Sequence, residues 1–270
     1  MKLLFLGDIV GRPGRRAVAE VLPRWQERNG YDLIIANGEN AAGGVGLTPP
    51  ILAELRQAGI DVVTSGNHIW AKKEIIPVLE EGAEPLLRPA NFPPGTPGRG
   101  FLVATARSGV KVGVINLMGR TFMEPLDSPF RVADSCLAAL PPEVKVVLVD
   151  FHAEATAEKV AMGWYLDGRV SACLGTHTHV PTVDERVLPK GTAYVTDAGM
   201  CGPTDSVIGV EVEIILRGFL TQLPVRHEVA RGGPVVVDGV EVDVNPETGK
   251  AAAIRRIREL LRPGETAAGQ

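Results

Sequence analysis

Two histidines stand on either side of one threonine in CLGTHTHVPT, Cys173 to Thr182, at the end of an apolar, strand-like run. In an extended segment the side chains at i and i+2 point the same way, so His177 and His179 are expected to aim both rings at one crevice while Thr178 faces away. Two neighbouring imidazoles add little to a core and are well suited to metal ions. Partners for them fall at the ends of other apolar runs: LLFLGD ends at Asp8, LIIANGEN at Glu39 and Asn40, VVTSGNH at Asn67 and His68, VVLVDFH at Asp150 and His152. Ligands of open α/β sheets sit outside the carboxyl ends of strands, so these scattered residues can meet. His227, in VRHEVA, lacks such company and reads as structural or exposed.

Each residue alone has a plainer reading. Asp8 and Asn40 suit helix caps or turns, a lone Glu39 would be solvated, Asn67 and His68 after Gly66 suit a tight turn, and His152 suits a hydrogen-bonded core position. Other chemistries lack their signatures: the chain has no G-x-G-x-x-G, no G-x-x-x-x-G-K-[ST] and no G-x-S-x-G. Imidazole, carboxylate and amide oxygen together suit divalent iron, manganese or zinc better than calcium or a thiolate-bound metal. The set is too large for one tetrahedral ion and fits two ions that share a carboxylate.

The elements that must position these residues follow from periodicity. Strands are expected at Lys2–Leu6, Asp32–Ala36, Asp61–Thr64, Lys111–Asn116, Val144–Val149 and Val170–Leu174, and helices near Gly14–Arg28, Pro49–Ala58, Pro129–Leu140 and Ala155–Leu166. This α/β rhythm occupies about residues 1–190. From about 191 to 245, AYVTDAG, VIGVEVEIILRGF, VRHEVA and GPVVVDGVEVDV read as consecutive, largely antiparallel strands. KAAAIRRIREL, within about 248–262, reads as a closing amphipathic helix, and PGETAAGQ as a frayed tail to residue 270. The proline-rich stretch Arg88–Arg99 reads as a surface loop, so residues 1–270 are expected to form one domain.

The chain has 270 residues, 45% hydrophobic and 22% charged, enough to bury a full core. A net charge of -4 with both signs interspersed argues against stable binding of long nucleic acid and leaves small phosphorylated ligands open. Cys136, Cys173 and Cys201 are odd in number and form no C-x-x-C pair, which points to buried free thiols in a reducing compartment. No apolar run approaches the roughly 18 residues of a membrane span. The cytoplasm is the expected location, and a homo-oligomer is a general expectation for such proteins.

The ordered motifs Gly7-Asp8, Gly38-Glu39-Asn40, Gly66-Asn67-His68, the later His152 and Gly175-Thr-His-Thr-His179 resemble the calcineurin-like metallophosphoesterases. They are most similar to the YmdB-type bacterial branch, phosphodiesterases acting on 2′,3′-cyclic nucleotides. Where most of the superfamily has D-x-H, this chain reads Asp8-Ile9-Val10. Glu39 stands where an aspartate usually bridges, and Ile69 follows His68 where an acid is usual. These departures are those of the YmdB-type branch.

The resemblance implies a four-layer sandwich, two mixed β-sheets flanked by helices. It implies one ion held by Asp8, Glu39 and His179, with Asn40 replacing the missing histidine, and a second held by Glu39, Asn67, His152 and His177. Iron or manganese is usual in the family, and the ligand types admit zinc. It further implies that a metal-activated hydroxide opens a small phosphodiester such as a 2′,3′-cyclic nucleotide, with His68 as general acid to the leaving oxygen. A phosphomonoesterase or phosphoprotein phosphatase on the same centre, or a non-catalytic regulator that binds a nucleotide or RNA end, are the competing readings. Arg12, Arg15, Arg16, Arg120 and Thr121 lie near strand ends, but a solvated surface role is the simpler expectation for the arginines. Gly43–Thr48 is expected to form a flexible rim.

Overall fold

A period of two along a strand puts alternate residues on opposite faces, and a strand buried on both faces carries two different apolar sets. In the computed structural model, described for residues 1–264, this sorting builds the molecule. The elements are β1 (Lys2–Leu6), β2 (Asp8–Ile9), α1 (Gly11–Asn29), β3 (Leu33–Asn37), α2 (Pro49–Gln57), β4 (Val62–Thr64), α3 (Ile76–Glu81), β5 (Phe101–Thr105) and β6 (Lys111–Met118). There follow α4 (Pro129–Ala139), β7 (Val146–His152), α5 (Thr156–Leu166), β8 (Ala172–Thr176), β9 (Arg186–Val187), β10 (Ala193–Val195), β11 (Met200–Pro203), α6 (Val212–Thr221), β12 (Val235–Val244) and β13 (Ala251–Leu261).

One sheet runs β2-β11-β12-β1-β3-β4, with β13 also paired to β12, and the other runs β5-β6-β7-β8-β10-β9. Both are mixed: β1 is parallel to β3 and antiparallel to β12, and β6 is parallel to β7 and antiparallel to β5. Leu3, Phe5, Leu33 and Ile35 of the first sheet face Val114, Leu148 and Leu174 of the second in one apolar layer. Alternate residues such as Leu4, Ile34 and Ala36 pack under α1 and α2 through Val18, Val21 and Leu52. Ile115, Val147 and Val149 pack under α4 and α5 through Cys136, Met162 and Leu166. Two mixed sheets flanked by helices are therefore present, as the resemblance implies.

Beside Gly7 the first sheet forks. Up to Leu6, β1 pairs with β12; past Gly7, β2 pairs with β11, which wedges between β2 and β12. The Gly7 amide bonds to Asp238 O at 3.2 Å, and a Cβ at Gly7 would overlap Gly199 O of the incoming segment. This close approach sets Asp8 at the open end of the fork, its amide on Gly199 O at 3.1 Å.

Three expectations fail. The segment expected to be the C-terminal helix is β13, paired antiparallel with β12. Its charges, which read as the polar face of a helix, have cross-strand partners: Arg255 lies opposite Glu241 and Arg258 opposite Asp238, each in an ion pair with its partner. The turn before it is fixed by Asn245 Oδ1, which accepts the amides of Glu247 and Thr248 at 2.9 and 3.2 Å. Conversely, VEIILRGFLT is the helix α6. Its β-branched residues suggest a strand, but its apolar residues also recur at helical spacing. VRHEVA contributes only an isolated bridge, Val210 to Val229. The expected run of antiparallel neighbours is also divided between sheets, since β10 lies parallel to β8 in the second sheet while β11 and β12 join the first. The frayed-tail expectation falls mostly on residues 265–270, outside the described residues.

Replacing Gly7 with alanine forces β11 away from the fork. Gly7→Ala is expected to cost roughly 1–3 kcal/mol in denaturant-induced unfolding, the usual range for overpacking. It should also lower bound metal per chain; unchanged stability and metal content would show that the fork tolerates a side chain.

Candidate metal centre

The same alternation that fills the layer between the sheets turns polar at the strand ends. In β3 the inward residues are Leu33, Ile35 and then Asn37; in β4, Val62 and Thr64; in β6, Val112, Val114 and Asn116; in β7, Val146, Leu148, Asp150 and His152; in β8, Ala172, Leu174 and Thr176. The polar residues of this series are all buried, so the layer ends in a hydrogen-bonded floor. Asp150 accepts from Asn37 Nδ2 at 3.1 Å, Thr64 Oγ1 at 2.5 Å and Thr176 Oγ1 at 2.7 Å. Thr176 Oγ1 also lies 2.9 Å from His152 Nδ1, which fixes the imidazole and leaves its Nε2 to face the open end.

Above this floor the sequence-derived residues come together. Around His152 Nε2 lie Glu39 Oε1 at 3.1 Å, Asn67 Oδ1 at 3.1 Å and His177 Nδ1 at 3.0 Å. A ring nitrogen carries one proton or one lone pair and cannot serve three such partners, whereas a cation among them could serve all. Glu39 Oε1 is also 3.3 Å from Asn40 Nδ2, so this carboxylate reaches a second cluster. There His179 Nε2 is 3.1 Å from the Asn40 amide and 3.8 Å from Asp8 Oδ1. Asp8 Oδ2 accepts the His177 amide at 3.1 Å, while buried Asp8 Oδ1 has no hydrogen-bond partner among the described residues. An orphaned carboxylate oxygen at 0% exposure is an expensive feature without a cation. Donor set and orphan both fit metal ions. Gly66 keeps the space clear, because a Cβ there would overlap both His152 and the Glu39 carboxylate.

Electrostatics agree with the geometry. Burial pushes Asp8 above the usual carboxylate range, partly offset by His179 and His152. For Glu39, burial acts upward, but His152, through charge and a hydrogen bond, and His68 outweigh it and hold the group at about 2. Burial acts downward on His152, yet the Glu39, Asp8 and Asp150 carboxylates raise it to about 9. Burial, with His152 alongside, drives His177 down to about 3. The pocket thus favours positive charge at its centre and a neutral imidazole at its edge.

The histidine pair is positioned differently from the extended arrangement its spacing suggests. His177 and His179 both have positive φ, 95° and 63°, so the chain turns at each, and alternation along a strand does not aim the rings. The turn is pinned from behind: Thr178 does face away, its Oγ1 and amide bonding to Asp197 Oδ2 at 2.6 and 3.2 Å. Buried Lys159 bonds to the same oxygen at 2.8 Å. His179 Nδ1 is held by Ile208 O at 2.8 Å, and Ile208, although β-branched, has a φ of 48°. Neither Asp197 nor Lys159 carries a sequence signal, since both stand in ordinary strand-end and helix contexts.

His68 is partly exposed beside Asn67, and its amide donates to Glu39 Oε2 at 3.2 Å. Asn67 and His177 open onto a depression of about 360 Å³ whose other wall is Phe122–Glu124, where the Phe122 ring is 89% exposed. Arg15 is taken up by Glu54, at 2.8 Å, and by Ala41 O, next to Asn40. The amides of Arg120 and Thr121 are taken by Glu158. Within the expected rim Gly43–Thr48, Leu47 is fully buried.

Comparison with known proteins supplies an independent finding. A family model described as YmdB-like protein matches residues 4–257. The 2',3'-cyclic-nucleotide 2'-phosphodiesterase of Bacillus subtilis (strain 168) is 51% identical over 257 residues, covering 95% of this chain and 96% of that one. The crystal structure of a hypothetical protein from Thermus thermophilus superposes with a TM-score of 0.90 at 48% identity, covering 96% of this chain and 99% of the other. A calcineurin-like phosphoesterase of Bacillus subtilis, at 14% identity and a TM-score of 0.59 over 96% and 90% of the two chains, shares the fold.

Thr176→Val keeps the shape of the floor and removes the hydroxyl that holds His152 Nδ1. It is expected to weaken metal affinity by about 10–100-fold, read by titration of chelated protein, with the folded baseline in circular dichroism unchanged. Native affinity in this variant would rule out a positioning role for Thr176.

Proposed function

This chain belongs to the YmdB-like family, and on that premise we propose that it is a metal-dependent phosphodiesterase that opens 2′,3′-cyclic nucleotides or closely related small phosphodiesters. The observation that carries the reading is the orphaned Asp8 oxygen, 3.8 Å from His179 Nε2, together with the Glu39, His152, His177 cluster, whose ligand atoms lie within 4.8 Å of one another. Asp8, Glu39, Asn40 and His179 would hold one ion and Glu39, Asn67, His152 and His177 a second, with Glu39 shared. Iron or manganese suits these donors, and zinc is compatible. Bound there, the ions supply neutralisation of phosphate charge and a lowered water pKa.

The chain's own residues do the rest. Opening the ring adds water to phosphorus, breaks one P–O bond and leaves a ribose oxygen that must gain a proton. His68, partly exposed and adjacent to Asn67, would hold that proton as general acid. Thr176 and Asp150 orient His152, and the Lys159–Asp197 pair fixes the turn that carries His177 and His179. The exposed Phe122 ring offers an apolar face to a nucleobase at the mouth of the site. Free buried Cys136, Cys173 and Cys201 suit a reducing cytoplasm. Exposed Leu216, Phe219 and Leu220 on α6 form the surface that self-association would bury.

Metal analysis coupled to a 2′,3′-cyclic AMP assay tests the reading. Two metals per chain, release of a monophosphate, and preference for the cyclic diester over p-nitrophenyl phosphate are expected. Tight binding of the cyclic nucleotide by metal-loaded protein with no turnover would instead make it a non-catalytic regulator. His68→Asn is expected to lower kcat by about 100-fold or more while metal content stays near native. Reduced metal with full turnover per bound metal would sink the general-acid role.

A further inference from the structure

Beside the proposed active site lies a groove of about 900 Å³ between α1 and residues 226–233. Five arginines line it, Arg12 and Arg16 on α1, Arg226 and Arg231 opposite, and Arg262 at the far end. Two carboxylates, Glu20 and Glu228, also line it, leaving five minus two, or three, positive charges in excess in a chain whose net charge is -4. Among the described residues none of these five guanidinium groups makes an ion pair or a hydrogen bond, whereas Arg15, Arg24, Arg107, Arg169 and Arg256 each meet a carboxylate. Unpaired guanidinium groups gathered along one groove make a surface for a string of phosphates.

The groove adjoins the site through the backbone on both of its sides. Asn40 O accepts the amides of Gly11 and Gly44 at 2.9 and 3.1 Å, and Val229 packs over both glycines. Gly43 lines the groove three residues beyond Asn40. On the other side the Ala230 amide bonds to Gly209 O at 3.0 Å, next to Ile208, whose carbonyl holds His179. From Arg12 to Glu20 the helix wall is about 12 Å long, so the groove extends along a strand rather than enclosing one phosphate.

We infer that this groove is a backbone channel for RNA, so that the substrate class of the site extends from cyclic mononucleotides to oligoribonucleotides ending in a 2′,3′-cyclic phosphate. The inference rests on the phosphodiesterase reading. A nucleotide whose 2′ and 3′ oxygens are in the reacting ring can be extended only through its 5′ oxygen, and each added unit brings one phosphate. The lining has no Phe, Tyr or Trp, so the channel reads backbone charge and is indifferent to base sequence.

The test compares kcat/KM for 2′,3′-cyclic AMP and for a pentaribonucleotide ending in a 2′,3′-cyclic phosphate, in native protein and in the Arg16→Ala, Arg226→Ala, Arg231→Ala triple variant. The pentamer is expected to be favoured by about tenfold or more at low salt, with a log-log salt slope of about -2 for three phosphates. The triple variant should lose that preference while turning over the mononucleotide at the native rate, which also shows that it folds. Turnover of both substrates with equal efficiency, or a preference untouched by the variant, overturns the channel and leaves the phosphodiesterase reading standing. If neither substrate turns over, that reading fails, and fluorescence anisotropy of the labelled pentamer decides the channel: salt-dependent binding lost in the variant supports it, and absence of binding overturns it. Equal displacement of the pentamer by an acidic peptide of matched charge also overturns RNA as the occupant.

Discussion

Asp8, Glu39 and Asp150 are carboxylates that the two sheets close over completely, and a buried carboxylate costs several kcal/mol unless positive charge or hydrogen-bond donors face it. The three are satisfied in graded fashion. Asp150, deepest in the floor, has three donors and needs nothing more. Glu39 also has three partners, the His68 amide, the Asn40 side-chain amide and the imidazole of His152, but all at 3.1 Å or more. Asp8 has a backbone amide on one oxygen and, among the described residues, no hydrogen bond on the other, which has only His179 and His152 ring nitrogens at 3.8 and 3.9 Å. Satisfaction falls off toward the open end of the fork, where the proposed ions would complete it. Lys159 and Asp197 show the alternative solution, in which the protein supplies the cation itself at 2.8 Å. Carboxylates of one molecule are thus divided between those closed by its own groups and those left for an ion.

That division explains which part of the site the sequence reveals. Asp8, Glu39, Asn67, His152, His177 and His179 are legible because each interrupts an apolar run with a metal-binding side chain, and no core requires that. Asn37, Thr64, Asn116 and Thr176 are not, although they build the floor, because a small polar residue at the end of a strand looks like ordinary turn chemistry. Their common feature is register: each continues the inward alternation of its strand by one further step. Only knowing which face of each strand meets the other sheet makes that step visible. The histidine turn escapes for another reason, since positive φ at His177 and His179 is imposed by Asp197 and Ile208, which contact the turn from elsewhere in the chain.

The α/β rhythm of the first 190 residues is likewise readable, because both faces of each strand are buried and its apolar run stands out. The later elements are not. Ile254 and Ile257 have helical spacing, and only pairing with β12, through Arg255 and Arg258, makes their segment a strand. α6 has the converse history: none of its residues is buried, so no packing within the chain overrides its local preference. Where tertiary pairing decides, local pattern misleads.

The position of β12 in its sheet has a consequence for how the protein is made. β1 is synthesised before its neighbours and finds β3 within a few dozen residues, but its other neighbour is β12, whose pairing with it begins at Gly239. At ordinary translation speeds the N-terminal strand therefore waits roughly 10–45 s with one edge unpaired. Asp8 gains the full wedge of β11 and β12 only at the end of that interval. The strands that close the fork, β11 and β12, are made long after β1, so the proposed metal site would be completed late in folding.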